Sequence, residues 1–519
     1  MAFPKPFRVT NLNKALEPDG DWDAVIFIAP NYDHIDNLQI KENIDAHHRI
    51  DSRVGQEPLL LISSDIAGGR LIYSPTGPLE RDYDDVRRFG DAAKAAAKIA
   101  LDAGARHPVM VLSGVPDNED YAHAIEVAYL NFCQALWQPL EAREALTEEK
   151  LEPIAEVGIY APDQTDLDWL AGVESGRRVA RDLCGTEPER MSPPGFAAYC
   201  EQTFKNSEVA CTVISDDDVL RKNYPLLHAV ARASTHVPRH QPRVVRLEYT
   251  GEGEIQQTLF IVGKGIVYDT GGADLKTDGH MAGMSRDKGG AAAAAGFMKI
   301  LAELKPKGIK VVAALGVVRN SIGSDAFVAD EIITAHSGVR VRIGNTDAEG
   351  RLVMADLLSE LREEAQQAVS PTLFTIATLT GHVVKCYGQY TACVENGPAR
   401  SLHLGDKLVE QADQWGDPAE VTRSRREDYE FIKGRTQADD VLSSNNASSA
   451  ATSRGHQFPM AFLDVASGLA KNGSDSDKPL PYMHLDIAGS AIDGPDIQHN
   501  HPSGAPVVAL AARYLRSVD

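Results

Sequence analysis

The chain reads as an α/β protein in two parts. A smaller N-terminal α/β domain is predicted over residues 1–175. A larger C-terminal α/β domain, with a mixed central sheet flanked by helices, is predicted over residues 176–519. Length is the first reason: 519 residues exceed one ordinary hydrophobic core. The second is that short apolar runs alternate with helix-period segments along the chain, the order expected of sheet layers joined by crossover helices. The third is a Gly/Pro-rich joint between the two parts.

In the first part, AVIFIAP (Ala24 to Pro30) and PLLLISS (Pro58 to Ser64) read as buried strands. DDVRRFGDAAKAAAKIALDAGA reads as an alanine-rich helix, and HPVMVLSG as the strand after it. The joint is predicted between Asp163 and Gly185, where SGRRVARDLCGTEPERMSPPGFAAYC gives a helix, a break, and a second helix starting near Pro193-Pro194. Ser215 to Asp218 reads as a solvated helix start. VVRLEYTGEGEIQQTLFIVG reads as strand–turn–strand, with Gly251 and Gly253 marking a hairpin. KVVAALGVV, GVRVRIGNT and PTLFTIATLTG supply later strands. Helices are expected after Gly290, after Gly350 and around Met460 to Ala470.

Composition excludes several classes. Hydrophobic residues at 43% and charged residues at 24% describe a soluble globular chain. The 52 Lys and Arg against 74 Asp and Glu leave a formal charge of −22, which argues against nucleic acid and anionic membranes as partners. Six scattered cysteines without a CxxC pair fit a reducing compartment. The start, MAFPKPFRVTNLNK, lacks a signal-peptide core, and no apolar run approaches the roughly eighteen residues of a membrane span. The expectation is a cytoplasmic protein.

The chemistry concentrates in Asn345-Thr346-Asp347-Ala348-Glu349-Gly350-Arg351-Leu352. In extended backbone Asp347, Glu349 and Arg351 would point to one side, two acids beside a fixed cation. Alone, such a segment could equally be a solvated charged turn. Upstream, Lys264, Asp269, Lys276 and Asp287 stand among many glycines, and Gly271-Gly272 and Gly289-Gly290 predict bends that re-aim the acids before them. NTDAEGRL and TLTG (Thr378 to Gly381) each follow a strand-like run, so they could share one rim at the carboxyl ends of strands.

VGKGIVYDTGG, the MxxDxGGAA pattern at Met284 and Asp287, NTDAEGRL, TLTG and PYMHLDIAG (Pro481 to Gly489) together resemble the leucine aminopeptidase (cytosol aminopeptidase) family of dinuclear zinc exopeptidases. The resemblance spans most of residues 176–519 and implies that this part is catalytic. It implies one metal held by Lys264, Asp269, Asp287 and Glu349 and a second held by Asp269, Asp347 and Glu349. The residue types agree: four carboxylates in one site repel each other until two divalent ions neutralise them. Oxygen-rich ligation also suits manganese or magnesium, with cobalt a further alternative, so zinc comes from the resemblance. Lys264 can ligate only as the neutral amine, a proton that metal displaces and that burial helps remove.

By the same resemblance Lys276 stays charged and stabilises the oxyanion, and Arg351 holds a bicarbonate ion as general base towards a metal-bridging water. Read alone, Lys276 could pair with Asp274 or Asp278, and Arg351 with a neighbouring acid. Met284 matches a residue of the pocket for the first substrate side chain, and Thr378, Leu379 and Gly381 match a segment bordering the substrate. The implied substrates are peptides with a free N-terminus. The implied assembly is a homohexamer, built with help from the N-terminal domain. A catalytically silent relative should lack Lys276 or a ligand, and none is missing; a nucleic-acid-binding regulator conflicts with the charge. A dipeptidase is the nearest competing enzyme.

Four residues depart from the family pattern: Lys288 after Asp287, His382 after TLTG, and His456 and Gln457 in SAATSRGHQFPMAFL. They predict a narrower or more polar substrate pocket and argue against a strict leucine preference. The histidines, His280 included, are read as structural.

Overall fold

The computed structural model describes residues 3–161 and 164–516. Asp163, where the predicted joint begins, lies outside the described residues. The chain divides into two compact units, Met1–Ser175 with Gln411–Asp417, and Gly176–Glu410 with Pro418–Asp519. The division falls inside the helix Leu167–Gly185.

The first unit carries a six-stranded sheet of β1 (Lys5–Val9), β2 (Ala24–Ala29), β3 (Leu59–Ile62), β4 (Arg70–Pro75), β5 (Pro108–Leu112) and β6 (Glu156–Tyr160), in the order β1-β6-β5-β2-β4-β3. All neighbours are parallel except β3 and β4. β2 is buried along its whole length, as its unbroken apolar run requires. PLLLISS is a correction: β3 is an edge strand paired only with β4, so Leu60 and Ile62 face outward and only Leu61 is buried. The alanine-rich helix forms over Arg87–Asp102 and buries Phe89, Ala93, Ala96, Ala97 and Ala100 along one stripe.

The second unit is built on an eight-stranded mixed sheet of β7 (Ala210–Ile214), β8 (Arg243–Thr250), β9 (Gln257–Asp269), β10 (Ile309–Asn320), β13 (Pro371–Ala377), β14 (Thr391–Glu395), β15 (Ala419–Arg423) and β17 (Tyr482–Asp486). Its order is β15-β14-β17-β13-β9-β10-β8-β7. A small sheet joins β11 (Ile332–Thr334), β12 (Arg340–Arg342) and β16 (Val441–Leu442). The hairpin expected at Gly251 and Gly253 does not form. Both strands exist, but β10 lies between them, antiparallel to β8 and parallel to β9. Alternating apolar residues specify a strand and leave its neighbour open.

The helices Gly289–Leu304 and Glu349–Ala365 cover opposite faces of this sheet. A Cβ at Gly263 would strike Ala291 of the first, whereas a Cβ at Gly316 would strike Val353 of the second. Gly316 stands beside Lys264 in register, and consecutive residues 263 and 264 point to opposite faces. Ser215 to Asp218 does open a helix, Asp217–Asn223, with Asp216 accepting from Val219 N at 2.9 Å. The segment around Met460 is helical over Phe458–Ala466. No described helix is long and apolar enough to cross a membrane.

Candidate active site

Four adjacent parallel strands, β17, β13, β9 and β10, end side by side. Their carboxyl ends present Asp486, Thr378 (just past β13), Asp269 and Asn320. This is where an open α/β sheet gathers ligands. A pocket of about 440 Å³ opens there, lined by Lys264, Asp269, Lys276, Met284, Asp287, Asp347, Glu349, Arg351, Thr378, Leu379 and Gly381 among others. The fold therefore brings every predicted site residue to one pocket.

NTDAEGRL reaches it by a different route from the one predicted. β12 ends at Arg342 and belongs to the small sheet, Thr346 and Asp347 form a turn, and Glu349 opens the helix Glu349–Ala365. Asp347 and Glu349 thus converge through a turn into a helix rather than along extended backbone. The glycine pairs also divide. Gly271 and Gly272 have positive φ of 85° and 65° and turn the chain away after Asp269, as expected. Gly289 and Gly290 instead begin a helix, and Gly290 lets it approach β13: a Cβ there would fall 1.9 Å from Ile376 O.

Two lysines bracket the acids. Lys264 Nζ lies 2.7 Å from Asp287 Oδ1 and 3.0 Å from Glu349 Oε1, and donates to Thr378 O at 2.9 Å. Lys276 Nζ lies 2.8 Å from Asp269 Oδ2 and also meets Asp347 Oδ1. Asp274, one of its alternative partners, instead accepts from Thr346 N at 2.7 Å and ties the turn down. Asp269, Asp347 and Glu349 place carboxylate oxygens within 4.8 Å of one another.

Burial and mutual repulsion dominate the electrostatics. Desolvation, with the neighbouring acids, raises Asp347 to about 7 and pushes Asp287 well above the usual carboxylate range; Glu349 is also raised. Four carboxylates against two ammonium groups leave an excess of negative charge that favours protons or cations there. Burial alone would pull Lys264 down, but Asp287, Glu349 and Asp269 outweigh it and leave its pKa raised. Burial thus acts on Lys264 in the expected direction, while the neighbouring acids hold its proton until a cation takes their charge. Lys276 is raised by the same balance and is charged at neutral pH.

Arg351 is buried and among the described residues forms no ion pair with an acid: its Nη1 donates to Ser443 O at 2.9 Å, and the guanidinium lies 5.0 Å from the Phe458 ring centre. Desolvation lowers its pKa to about 10, so it remains a cation.

Three residues support the cluster through contacts that the sequence did not predict: Asn320, which carried no sequence signal, Thr378, expected only to border the substrate, and Asp486, read only as part of PYMHLDIAG. Asn320 Nδ2 donates to Asp269 Oδ1 at 2.8 Å and to Thr346 O at 3.1 Å. Thr378 Oγ1 donates to Asp287 Oδ1 at 2.8 Å. Asp486, within PYMHLDIAG, accepts from Thr380 Oγ1 at 2.6 Å and Leu379 N at 3.1 Å, fixing the turn after β13. Asn320 lies in a plain apolar strand, and only its place at the rim distinguishes it.

The four departures from the pattern do not line this pocket. Lys288 is buried and turned away, donating to Thr186 O at 2.9 Å and to Ser285 O. His456 contacts both His382, on the helix Gly381–Tyr387, and Gln457. The non-polar lining includes Leu275, Met284, Leu379, Val384, Ile492 and Ile497 and none of the four departures, so the expectation that these four residues narrow or polarise the pocket is overturned.

Residues 178–511 match the family model described as the cytosol aminopeptidase family, catalytic domain. A candidate aminopeptidase of Caenorhabditis elegans is 44% identical over 458 residues, 87% of each chain. A candidate cytosol aminopeptidase of Synechococcus is 32% identical over 342 residues, 64% of this chain and 66% of the relative. Among solved structures, leucyl aminopeptidase from Trypanosoma cruzi superposes with a TM-score of 0.80 at 21% identity, covering 99% of this chain and 98% of that one. The bottromycin maturation enzyme BotP, in complex with Mn, gives 0.75 at 21% identity, covering 95% and 98%. Fold, site and relatives together define a metallo-aminopeptidase, a metal-dependent hydrolase of peptides. The chain belongs to the cytosol aminopeptidase family.

Proposed function

We propose that this chain removes N-terminal residues from peptides at a pair of divalent metal ions, zinc in first place and manganese, magnesium or cobalt as alternatives. Lys264, Asp269, Asp287 and Glu349 hold one ion in this reading, and Asp269, Asp347 and Glu349 the other. The carrying observation is the bracketed cluster itself, four acids with only two ammonium partners. The donor set fits two cations: among the described residues Asp287 Oδ2 is buried without a hydrogen-bond partner, and three carboxylates already converge. When bound, such ions supply Lewis-acid activation of water and of the scissile carbonyl.

The chain's own groups do the rest. Lys276, anchored by Asp269 and Asp347, presents its ammonium to the oxygen that becomes negative during attack on the peptide carbonyl. Arg351 holds a bicarbonate ion as general base; its buried Nε has no hydrogen-bond partner and its Nη1 is pinned by Ser443. Met284 sits in the non-polar wall that receives the first side chain, and Thr378, Leu379 and Gly381 border the substrate backbone. Residues 176–519 form the catalytic domain. Residues 1–175 form a non-catalytic domain that helps to build a cytoplasmic homohexamer.

An amino-acid amide compared with its N-acetyl counterpart tests this reading. The free-amine substrate is hydrolysed and the blocked one is not, because the site recognises a neutral terminal amine. Equal hydrolysis of both would contradict an aminopeptidase.

A further inference from the structure

We propose that His382, Cys386 and His456 form a separate site for a thiophilic divalent cation of the zinc class, which clamps the helix Gly381–Tyr387 to the loop of residues 448–456. The ligand atoms of these three residues lie within 4.8 Å of one another. His382 Nδ1 stands 2.7 Å from His456 Nδ1, and Cys386 Sγ stands 3.5 Å from His382 Nδ1. Two imidazole nitrogens that close must share a proton or a cation. Zinc bonds of ~2.0–2.1 Å to nitrogen and ~2.3 Å to sulfur place tetrahedral N and S ligands about 3.5 Å apart and two N ligands about 3.3 Å apart. The sulfur is already at that spacing from His382 and within 4.8 Å of His456, and the two rings need to part by only about half an ångström.

The surroundings suit a ligand set. His456 is 1% exposed, and burial lowers its pKa to about 4; burial lowers His382 as well. Gln457 Nε2 lies 2.9 Å from His456 Nε2 and 3.0 Å from Thr422 Oγ1, while Gln457 Oε1 is buried without a partner. With that amide turned over, its oxygen accepts from His456 Nε2–H and leaves the Nδ1 lone pair facing His382 and Cys386. A side chain that orients the ring through its far nitrogen is the usual support of a histidine ligand. Cys386 is exposed, which gives an ion a path from solvent and leaves a fourth position for water.

The site stands outside the active pocket but behind one of its walls. Gly381 and Val384 of the helix, and Ser448, Ser449 and Ala450 of the loop, line the pocket. Gly381 N donates to Ser449 Oγ at 3.0 Å, and Gly455 packs so closely on His382 that a Cβ there would fall 2.7 Å from the His382 Cβ. A cation bridging His382 and Cys386 on the helix to His456 on the loop would hold that wall in place.

Cobalt(II) gives a readout free of the carboxylate cluster, whose ligands include no thiolate. Full-length protein titrated with cobalt(II) should develop a near-ultraviolet thiolate-to-cobalt charge-transfer band, which Cys386→Ser abolishes and His456→Asn weakens. Zinc added to the unsubstituted protein should slow alkylation of Cys386 by iodoacetamide at least ten-fold, followed by mass spectrometry of its peptide. Absence of the band together with an unchanged alkylation rate would leave only a histidine–histidine hydrogen bond and overturn the proposal. A band that persists in Cys386→Ser overturns the assignment to this thiol.

Discussion

The backbone of Gly350 lies against the stem of Lys264: a Cβ at position 350 would fall 2.4 Å from Lys264 Cε and 2.8 Å from its Nζ. The helix Glu349–Ala365 can therefore deliver Glu349 to the cluster only because its second residue has no side chain. Gly350→Ala should favour the helix by propensity, yet displace Lys264 from Asp287 and Glu349. The expected result is a folded protein whose metal affinity falls by about 10–100-fold, the usual effect of disturbing the support of a ligand. Metal-binding titration followed by circular dichroism separates the two; unchanged affinity would contradict the packing argument.

Asn320 acts through Asp269. Its amide fixes one oxygen of that carboxylate and the turn carbonyl of Thr346 at once. Asn320→Ala should cost roughly 10–100-fold in metal affinity or in kcat/KM at limiting metal. Asn320→Asp, which adds a fifth carboxylate, should do worse. An alanine variant with the parent's affinity would remove Asn320 from the account.

Arg351 can be tested with the anion it is proposed to hold. Protein dialysed free of carbonate should gain activity on addition of bicarbonate, and Arg351→Ala should show neither the gain nor the parent rate. The loss expected for general-base assistance is ~10²–10⁴-fold in kcat. An Arg351→Ala protein with an unchanged rate at saturating substrate would end this role.

Buried acids away from the cluster set a pH dependence. Burial raises Asp356 to about 7 against the pull of three backbone N–H donors, and raises Asp464 and Asp486 to about 6. In the unfolded chain such groups titrate near ~3.9. Between those values these groups bind more protons in the folded state, so their contribution to stability is complete below about pH 4 and is lost as pH rises towards 7. In metal-stripped protein Asp356→Asn should therefore raise the thermal midpoint at pH 8 relative to that at pH 5, compared with the parent. An unchanged pH dependence of the midpoint in Asp356→Asn would contradict the assignment.

Much of the site was legible in the sequence because its residues are clustered. Lys264, Asp269, Lys276 and Asp287 fall within one glycine-rich stretch, and Asp347, Glu349 and Arg351 within eight residues. Fold class was legible for the same local reason, since β2 is an unbroken apolar run and the helix Arg87–Asp102 carries its buried stripe in its spacing. What was not legible depends on neighbours. Nothing in VVRLEYTGEGEIQQTLFIVG announces that β10 will lie between its two strands, and nothing in PLLLISS marks it as an edge. Asn320, Thr378 and Asp486 matter through contacts with residues 51 to 107 positions away. Lys288 beside Asp287 misled because adjacency in sequence at the start of a helix sends two side chains in different directions.

In the proposed reading, four carboxylates bracketed by two lysines hold a working pair of divalent ions. Metal content per chain, measured alongside amino-acid amide hydrolysis through chelation and stepwise return of zinc or manganese, tests it most directly. The prediction is complete loss of activity on chelation and recovery that plateaus once two ions per chain are bound at the carboxylate cluster, counted in Cys386→Ser so that no thiolate ion contributes. Full activity in protein shown to contain no metal would contradict the account.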